Sequence, residues 1–456
     1  MKKNLITKVK ITVLFVVLLF ALPSVCWATT YYVDSTNGSD SNAGTSLTSS
    51  WKTIQKAANT MVPGDTVRVQ SGNYNERINI NTSGSSGLPI YFKAEGSVIT
   101  RGFNVLADYV TVEGFEITDT ISGHWRDGTG IYIEGKHCEI LNNYVHDVIH
   151  IGIRLLARPT DSLWTSYCTV KGNRIVRAGL SGIEVQGRNN VIDSNDISHS
   201  LANDYSDADG MRFMGSGHII RKNYIHDIYL TDPGNTYAHI DCFQTWGPAY
   251  DTLFEKNKCI NTNDGMQGFM IEEINEPVRN LTIKNNVIVA FRIANILECE
   301  NVIIVNNSIK SDLNYTGASG YGIELHNSPY ATVQNNLFYD VGRHIYPYLI
   351  HDSGSQEGLQ IGNNYIYMSD GQPPSGSPWP NDLWQIDPKV KDAEAVDFYP
   401  NSDSPLIDSG KNLSQVLYDF EDTPRPQGAG LDIGAFEYTG AVTPEPPKGL
   451  RVIGAQ

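Results

Sequence analysis

One pattern recurs in the stretches TVKGNRI (169–175), VIDSNDI (191–197) and IIRKNYI (219–225): an apolar residue, two variable residues, an asparagine, one further variable residue and a second apolar residue. Similar stretches occur nine times in the chain, 21 to 34 residues apart. The aligned asparagines are Asn143, Asn173, Asn195, Asn223, Asn257, Asn286, Asn307, Asn336 and Asn364. A period of this length indicates stacked structural units.

This repeat predicts a solenoid built from β-strands. Short runs rich in isoleucine and valine fill the intervals, and helix-length apolar patterns are few. A single unit of this length cannot bury its own apolar side, whereas coils stacked on one another can. Asparagine suits a tight corner, because it tolerates left-handed backbone angles and its amide can bond to the next coil. We therefore predict an all-β, single-stranded parallel β-helix.

The asparagine column resembles the asparagine ladder of the right-handed parallel β-helix proteins of the pectin-lyase-like superfamily. The segment 31–74 resembles the opening module of exported members, with WKTIQKAANTM (51–61) as a short helix that caps the coil and GDTVRVQSGNY (64–74) as the first coil. The segments 404–410 and 419–438 resemble their closing segment. The resemblance implies a right-handed parallel β-helix, but no single reaction, because the superfamily holds lyases, hydrolases, epimerases and adhesins.

The N-terminus is typical of a secretory signal peptide. MKKNLITKVK carries four lysines and no acidic residue, an apolar run too short for a membrane span follows, and small residues before and at Ala28 offer a cleavage site. We therefore expect an exported protein, secreted or held at the cell surface, without a membrane span and monomeric. The predicted segments are a signal peptide (1–28), an N-terminal cap with first coils (29–100), β-helix repeats (101–370), a closing segment (371–440) and a Pro/Gly-rich tail (441–456).

The charge of the chain restricts its partners. The formal net charge is −16, and loss of the four signal-peptide lysines makes it −20 (−16 − 4). Such a protein repels nucleic acid and anionic membranes. It also repels a polyanionic polysaccharide unless calcium or a local basic patch intervenes. We expect no nucleic-acid partner.

A second column of strands follows the asparagines. It reads Gly-apolar-x-apolar-x-Gly in GIYIEG (130–135), GIEVQG (182–187) and GMRFMG (210–215), and CFQTWG (242–247) aligns with them. Strand alternation turns the residue after the glycine inward and leaves the residues between on the solvent side. The inward residues are Ile131, Ile153, Ile183, Met211, Phe243, Phe269 and Ile323.

Stacking of neighbouring coils, about 4.8 Å apart, lines up the outward residues in rows. The first row contains Tyr132, Arg154, Glu184, Arg212, Gln244 and Met270, and the second contains Glu134, Leu156, Gln186, Met214, Trp246 and Glu272. The same alignment places Asp209 beside Asp241 and Asp207 beside His239. Long segments precede the strands that contain Asp209 and Asp241, and we expect these segments to form the walls of a cleft.

Three functions fit this patch. Glycoside hydrolysis needs two carboxylates, which Asp209 and Asp241 would supply, with Glu184 or Glu272 as a more distant partner. β-Elimination or epimerisation at a uronic acid needs a base and a cation. His239 or an arginine would then be the base, although the rows lack the lysine that such lyases often use. Non-catalytic glycan binding needs only stacking platforms such as Trp246.

We expect cleavage of an extracellular polysaccharide, by hydrolysis or elimination, with adhesion or simple glycan binding as the alternative. The catalytic candidates are Asp209, Asp241, His239, Arg212 and Glu184. The substrate-binding candidates are Gln244, Trp246, Arg154, Glu272 and Tyr132. Asp207, Asp209 and Asp241 are candidate ligands for Ca²⁺, which prefers carboxylate oxygens.

Five cysteines follow the signal peptide. Cys138 and Cys168 fall at equivalent positions of adjacent coils, where a disulfide or an inward stack of thiols would both fit. No HExxH or CxxC motif occurs, so we predict neither a zinc nor a redox site.

Overall fold

The computed structural model describes residues 28–121, 125–156, 165–203, 207–260, 267–274, 277–311, 321–341, 347–350, 352, 354–371, 379 and 381–440. The predicted signal peptide, apart from residue 28, and the tail at 441–456 lie outside these residues. None of the helices in the described ranges is long and apolar enough to cross a membrane.

The chain winds into a parallel β-helix, as the repeat predicted. Strands on both sides of the asparagine corners form one sheet of 24 strands. Those strands are Thr30–Val33, Thr66–Tyr74, Ile90–Thr100, Val110–Glu113, Glu116–Ile117, Glu139–Leu141, Tyr144–Val148, Thr169–Lys171, Arg174–Ala178, Val191–Asp193, Asp196–Ser198, Ile219–Arg221, Tyr224–His226, Leu253–Glu255, Lys258–Ile260, Thr282–Lys284, Val287–Ala290, Ile303–Val305, Ser308–Ser311, Thr332–Gln334, Leu337–Tyr339, Gln360–Gly362, Tyr365–Tyr367 and Leu383–Trp384.

A sheet of 11 parallel strands forms the opposite wall and carries the candidate site. Its strands are Ile78–Ile80, Phe103–Val105, Ile131–Ile133, Ile153–Leu155, Ser181–Val185, Asp209–Phe213, Asp241–Thr245, Gln267–Ile271, Arg292–Leu297, Tyr321–His326 and Tyr348–Ile350. A sheet of four short strands lies beside it, formed by Gly215–Ser216, Ala249–Tyr250, Val278–Arg279 and Cys299–Glu300. All seven residues predicted to face inward from this wall lie in the hydrophobic core, and those from Ile131 to Phe269 pair from strand to strand as predicted, which confirms the register.

The asparagine ladder is continuous through all nine repeats. The backbone N–H and the amide Nδ2 of Asn195 lie 3.0 and 2.9 Å from Oδ1 of Asn223. The amide of Asn223 in turn donates to Oδ1 of Asn257 at 3.0 Å and to the carbonyl of Ile192 at 2.9 Å. At the last repeat, Asp382 accepts the bond from Asn364. The ladder thus satisfies buried backbone groups at every corner, where no strand partner is available.

The left-handed residue of each corner is not the ladder asparagine, contrary to the expectation from asparagine chemistry. It is the residue before it, as in Ser194, Lys222 and Lys256, whose φ values are 56°, 55° and 58°. Because that residue makes the turn, the asparagine itself can direct its amide along the stack. The strict requirement at the corner is therefore for the amide, and the preceding position accepts several residue types.

The N-terminal cap is a helix at Ile54–Ala58, shorter than the quoted stretch but amphipathic as predicted. Thr53 accepts from the N–H of Lys56 and caps it, while Ile54, Ala57 and Ala58 cover the open end of the core. A second α-helix among the described residues is Trp125–Gly128, and Leu47–Ser49 and Gly354–Gln356 are 3₁₀ turns.

The closing segment packs along the side of the 24-stranded sheet. It contains an antiparallel pair, Val390–Asp392 and Asp397–Pro400. Asp422 forms ion pairs with Lys222 and Lys256, two of the left-handed corner residues. These contacts hold the described part of the segment against the asparagine corners.

Candidate functional site

A bend in the strands decides which side chains reach the outer face. A Cβ added at Gly210 would lie 2.5 Å from Cγ2 of Ile225, so this position points into the core. Met211 is also in the core. Two consecutive inward residues reverse the alternation, and Asp209 therefore emerges on the same side as Arg212. Strict alternation counted back from Met211 would have put Asp209 inside.

Cys242 occupies this glycine position in the next coil. It forms a disulfide with Cys259, whose strand position matches Ile225, and the Cα atoms are 6.1 Å apart. The sequence analysis missed this bridge and considered Cys138 and Cys168 instead. Those two thiols are free and buried, with the backbone N–H of Cys138 3.4 Å from Sγ of Cys168. The inward stack is confirmed, and a cysteine in a column of glycines was the signal for the true bridge.

Arg212 joins the aspartates of its coil. Its Nε lies 2.7 Å from Oδ2 of Asp209, and its Nη2 lies 2.8 Å from Oδ2 of Asp207. The guanidinium carbon is 5.2 Å from the centre of the Trp246 ring, in the geometry of a cation–π contact. The Asp209 carboxylate reaches the next coil, where its Oδ1 accepts from the backbone N–H of Asp241 at 3.2 Å. The predicted adjacency of Asp209 and Asp241 is therefore confirmed.

His239 and Asp241 form a second pair beside the first. Nδ1 of His239 lies 2.8 Å from Oδ2 of Asp241, and its Nε2 lies 2.8 Å from the amide nitrogen of Gln267. The backbones of His239 and Asp207 form a parallel β-bridge across the coils, which confirms that the two residues are neighbours, as predicted. The imidazole is 43% exposed, whereas the carboxylate behind it is fully buried. Gln267 was not among the predicted site residues, although it stands in the same column as the two aspartates.

Burial sets the protonation of this cluster. It raises the pKa of Asp209 to about 7, with Arg212 acting in the opposite direction and the neighbouring Asp241 reinforcing the rise. Burial also raises the pKa of Asp241. The Asp241 carboxylate raises the pKa of His239 to about 9. Like charges placed close together in a dry site favour sharing of a proton.

Most predicted site residues lie on the outer side of the sheet but are covered by one another. Asp209 and Asp241 are fully buried, and Glu184, Gln244 and Tyr132 are nearly so, which corrects the expectation that they face solvent. The covering comes from long side chains that pair along the rows. His239, Asp207, Trp246 and Glu272 form the more accessible part of the patch.

The first row continues toward the N-terminus as a chain of pairs. Nε of Arg154 lies 2.9 Å from Oε1 of Glu184, which also accepts from the amide of Gln186 at 2.6 Å. The Arg154 guanidinium carbon is 5.3 Å from the Trp125 ring centre, which repeats the Arg212–Trp246 arrangement. Trp125 precedes its strand by several residues, so the row alignment could not show it. The hydroxyl of Tyr132 donates to Glu134 at the end of this chain.

The three proposed calcium ligands do not form a common cage. Among the described residues, no three His, Cys, Asp or Glu side chains are grouped so that they could hold a metal ion. The guanidinium of Arg212 binds both Asp207 and Asp209 and takes the place that a cation would need between them. A role for Ca²⁺ stays a prediction, without a preformed set of ligands in this part of the chain.

Two solved structures resemble most of the chain. Pectate lyase Pel9A has a TM-score of 0.56 and 18% identity, over 90% of this chain and 96% of that one. XylC, solved with xylose, has a TM-score of 0.59 and 15% identity, over 89% and 98% of the two chains. At these identities the likeness concerns the fold.

Two curated relatives match shorter segments. The uncharacterized protein YwoF of Bacillus subtilis (strain 168) is 29% identical over 136 residues, which are 26% of this chain and 29% of that protein. A lacto-N-biosidase of Bifidobacterium longum subsp. longum is 27% identical over 237 residues, 46% of this chain and 15% of that protein. The matched segments thus span less than a third of either relative.

Two family models cover consecutive parts of the coil. One described as "Pel9A-like, right handed beta helix region" matches residues 31–162, and one described as "Right handed beta helix region" matches residues 161–366. Together they contain the opening coils, the whole candidate site and the complete asparagine ladder. The chain is a right-handed parallel β-helix protein, and its fold is similar to that of pectate lyase Pel9A.

Proposed function

We propose that this protein binds an extracellular polysaccharide across the outer face of the 11-stranded sheet and hydrolyses it beside His239. One observation carries the proposal: two aspartates, Asp209 and Asp241, are fully buried next to each other on adjacent coils. The fold does not require them, because the coils on either side have Ser181 and Gln267 at the same strand position.

Burial of two adjacent carboxylates destabilises the folded protein, so we expect this pair to have a function. A buried carboxylate needs a full set of partners, and no donor in the described residues bonds to Oδ1 of Asp241. Unfavourable carboxylates with raised pKa values are concentrated at sites of proton transfer. A structural ion pair would not need the second aspartate, since Asp209 is already paired with Arg212.

We assign the contact with the glycan to His239. It is the partly exposed member of the pair with Asp241. Nδ1 is held by Asp241, so the proton for the leaving oxygen of a glycosidic bond would come from Nε2, which requires that the donating amide of Gln267 turns away from Nε2 when the ring is protonated. Asp241 holds the imidazole ring of His239 in place and stabilises its protonated form, and so acts as a positioning residue. The half-exposed carboxylates Asp207 and Glu272 are the candidates for the second carboxylate of hydrolysis, and Trp246 offers a ring for stacking on a sugar.

The names of several related proteins support a carbohydrate ligand. They include a pectate lyase, a protein solved with xylose and a lacto-N-biosidase. These names do not indicate one common reaction, so the choice of hydrolysis rests on which residues form the cluster. The rows around it contain no lysine that would serve as an elimination base.

Glycan binding without cleavage is the second candidate. The full burial of Asp209 and Asp241 favours it, because neither carboxylate can touch a sugar as the site stands. In that case the pair would only fix the positions of Arg212 and His239 on a binding face.

The assay incubates the protein without its signal peptide with a panel of neutral and acidic polysaccharides, with calcium or with a chelator. Reducing ends and the ultraviolet absorbance of unsaturated uronates are followed in parallel. Hydrolysis predicts reducing ends without new absorbance. New absorbance would replace hydrolysis by elimination, and binding without either product would support the second candidate.

Two variants test the assignment, each with a matched control. His239→Gln is expected to lower the rate at least about 100-fold, the usual contribution of a general acid. His226→Gln is its control, because the ring of His226 also pairs with carboxylates, Asp196 and Asp227, but lies on the 24-stranded sheet. Asp209→Asn is compared with Asp193→Asn, a buried aspartate paired with an arginine on that same sheet. Equal rates for the site variants and their controls would show that the cluster takes no part in the reaction.

A further inference from the structure

The charges on the outer face identify the class of glycan. We propose that the polysaccharide bound by the 11-stranded sheet is uncharged, a neutral hexose or pentose polymer rather than a polyuronate. This inference rests on the proposed function, because it concerns the ligand of the same site. It follows from the ion pairs that the arginines on this face already form with carboxylates of the protein.

The arginines toward the N-terminal end of the face each have a carboxylate partner. Nη2 of Arg126 lies 3.4 Å from Oε1 of Glu134. Nε of Arg154 lies 2.9 Å from Oε1 of Glu184. A uronate bound here would compete with a protein carboxylate for each guanidinium and would leave that nearly buried carboxylate without its positive partner. The desolvated charge left behind opposes such an exchange.

The same holds at the cluster and beyond it. Arg212 carries two carboxylates, Asp207 at 2.8 Å and Asp209 at 2.7 Å. Nε of Arg292 lies 3.2 Å from Oε1 of Glu324. Arg126, Arg154, Arg212 and Arg292, which lie in and beside the two rows in the described part of the chain, are therefore all paired with carboxylates of the protein, and neither row contains a lysine.

The remaining charges make the face neutral to negative. Asp241 and Glu272 add two carboxylates to the five just described, against four arginines, which gives −3 (4 − 7). If Asp209 and Asp241 share one proton and His239 and His326 are both protonated, the balance is 0 (−3 + 1 + 2). The face therefore has no excess of positive charge to attract a polymer with a carboxylate on each residue, and it repels such a polymer when its carboxylates are ionised.

A neutral glycan avoids this repulsion and can use the same pairs. An arginine bonded to a carboxylate still has guanidinium N–H donors, and the carboxylate still has acceptor capacity, so the pair can bond to sugar hydroxyls without loss of charge balance. Trp246 and Arg212 add a stacked, partly apolar platform within the row. The reaction follows from the ligand, because β-elimination requires a uronate carboxylate, whereas hydrolysis does not.

Affinity gel electrophoresis of the protein without its signal peptide tests this inference. The gels contain xylan, arabinan, galactan, mannan or β-glucan on one side, and polygalacturonate or alginate on the other, at low and high salt, with calcium or chelator. We expect retardation by at least one neutral glycan, with an apparent affinity that changes less than about twofold with salt. Tighter, salt-sensitive or calcium-dependent binding of a polyuronate would overturn the inference, as would a lack of binding to every neutral glycan.

A charge-insertion variant makes the test independent of catalysis. Met214 stands in the second row next to Trp246, and Met214→Lys adds one cation there without a carboxylate partner. It should raise the affinity for polygalacturonate about fivefold at low salt, whereas the uncharged control Met214→Gln should not. If both variants behave alike, charge does not select the ligand. Binding of a neutral glycan without cleavage would refute the proposed hydrolysis and leave this inference standing, and hydrolysis of a polyuronate would do the reverse.

Discussion

The substitution Asn223→Ala in the middle of the asparagine ladder should destabilise the protein strongly. The side chain accepts two bonds from Asn195, at its N–H and its Nδ2, and donates two, to Ile192 and Asn257. Alanine would leave the buried N–H of Asn195 without a partner, at a cost of about 2 kcal/mol, while the lost side-chain bonds add roughly 2 kcal/mol. We therefore expect the free energy of unfolding to fall by about 4 kcal/mol.

Urea unfolding monitored by circular dichroism and tryptophan fluorescence measures this loss. The matched control is Asn412→Ala, an exposed asparagine of the closing segment, which should change stability by less than about 0.5 kcal/mol. The ladder is also expected to unfold as a unit, because each rung bonds to the next. A midpoint shift for Asn223→Ala no larger than that of the control would refute the view that the amide ladder stabilises the stacked corners.

Three further predictions concern the core and the site. Reduction of the Cys242–Cys259 disulfide, which bridges a sequence separation of 17, should lower the free energy of unfolding by about 3 kcal/mol, and an unfolding midpoint indifferent to reductant would contradict this. Burial lowers the pKa of His218 to about 4, so between about pH 6.5 and 4 the unfolded chain binds a proton at this histidine and the folded protein does not. The free energy of unfolding should therefore decrease as the pH is lowered through this range, and it should decrease less in His218→Gln. If His239 is the acid, the rate should decline above about pH 9, and Asp241→Asn should move this limb about 1–2 pH units lower; an unmoved limb would exclude the pair.

The sequence determined the fold because the repeat specifies the same asparagine corner, with an apolar residue on either side, nine times. Asn143 to Asn364 set the corners, and the inward residues from Ile131 to Ile323 set the register, so a one-residue error in any coil would have broken both columns. The same register predicts Asp209 beside Asp241 and Arg212 beside Gln244, and the structure has both pairs of neighbours.

Only the tertiary structure decided what those neighbours do. Strand periodicity fixes which residues are adjacent, but not how far long side chains fold over one another. Arg212 and His239 cover the two aspartates, and that burial changes their pKa values and moves the accessible chemistry to His239. The disulfide likewise depends on two consecutive inward positions at the strand bend, Cys242 and Phe243. Alternation cannot predict such a bend, because it assumes that successive side chains point to opposite faces throughout the strand.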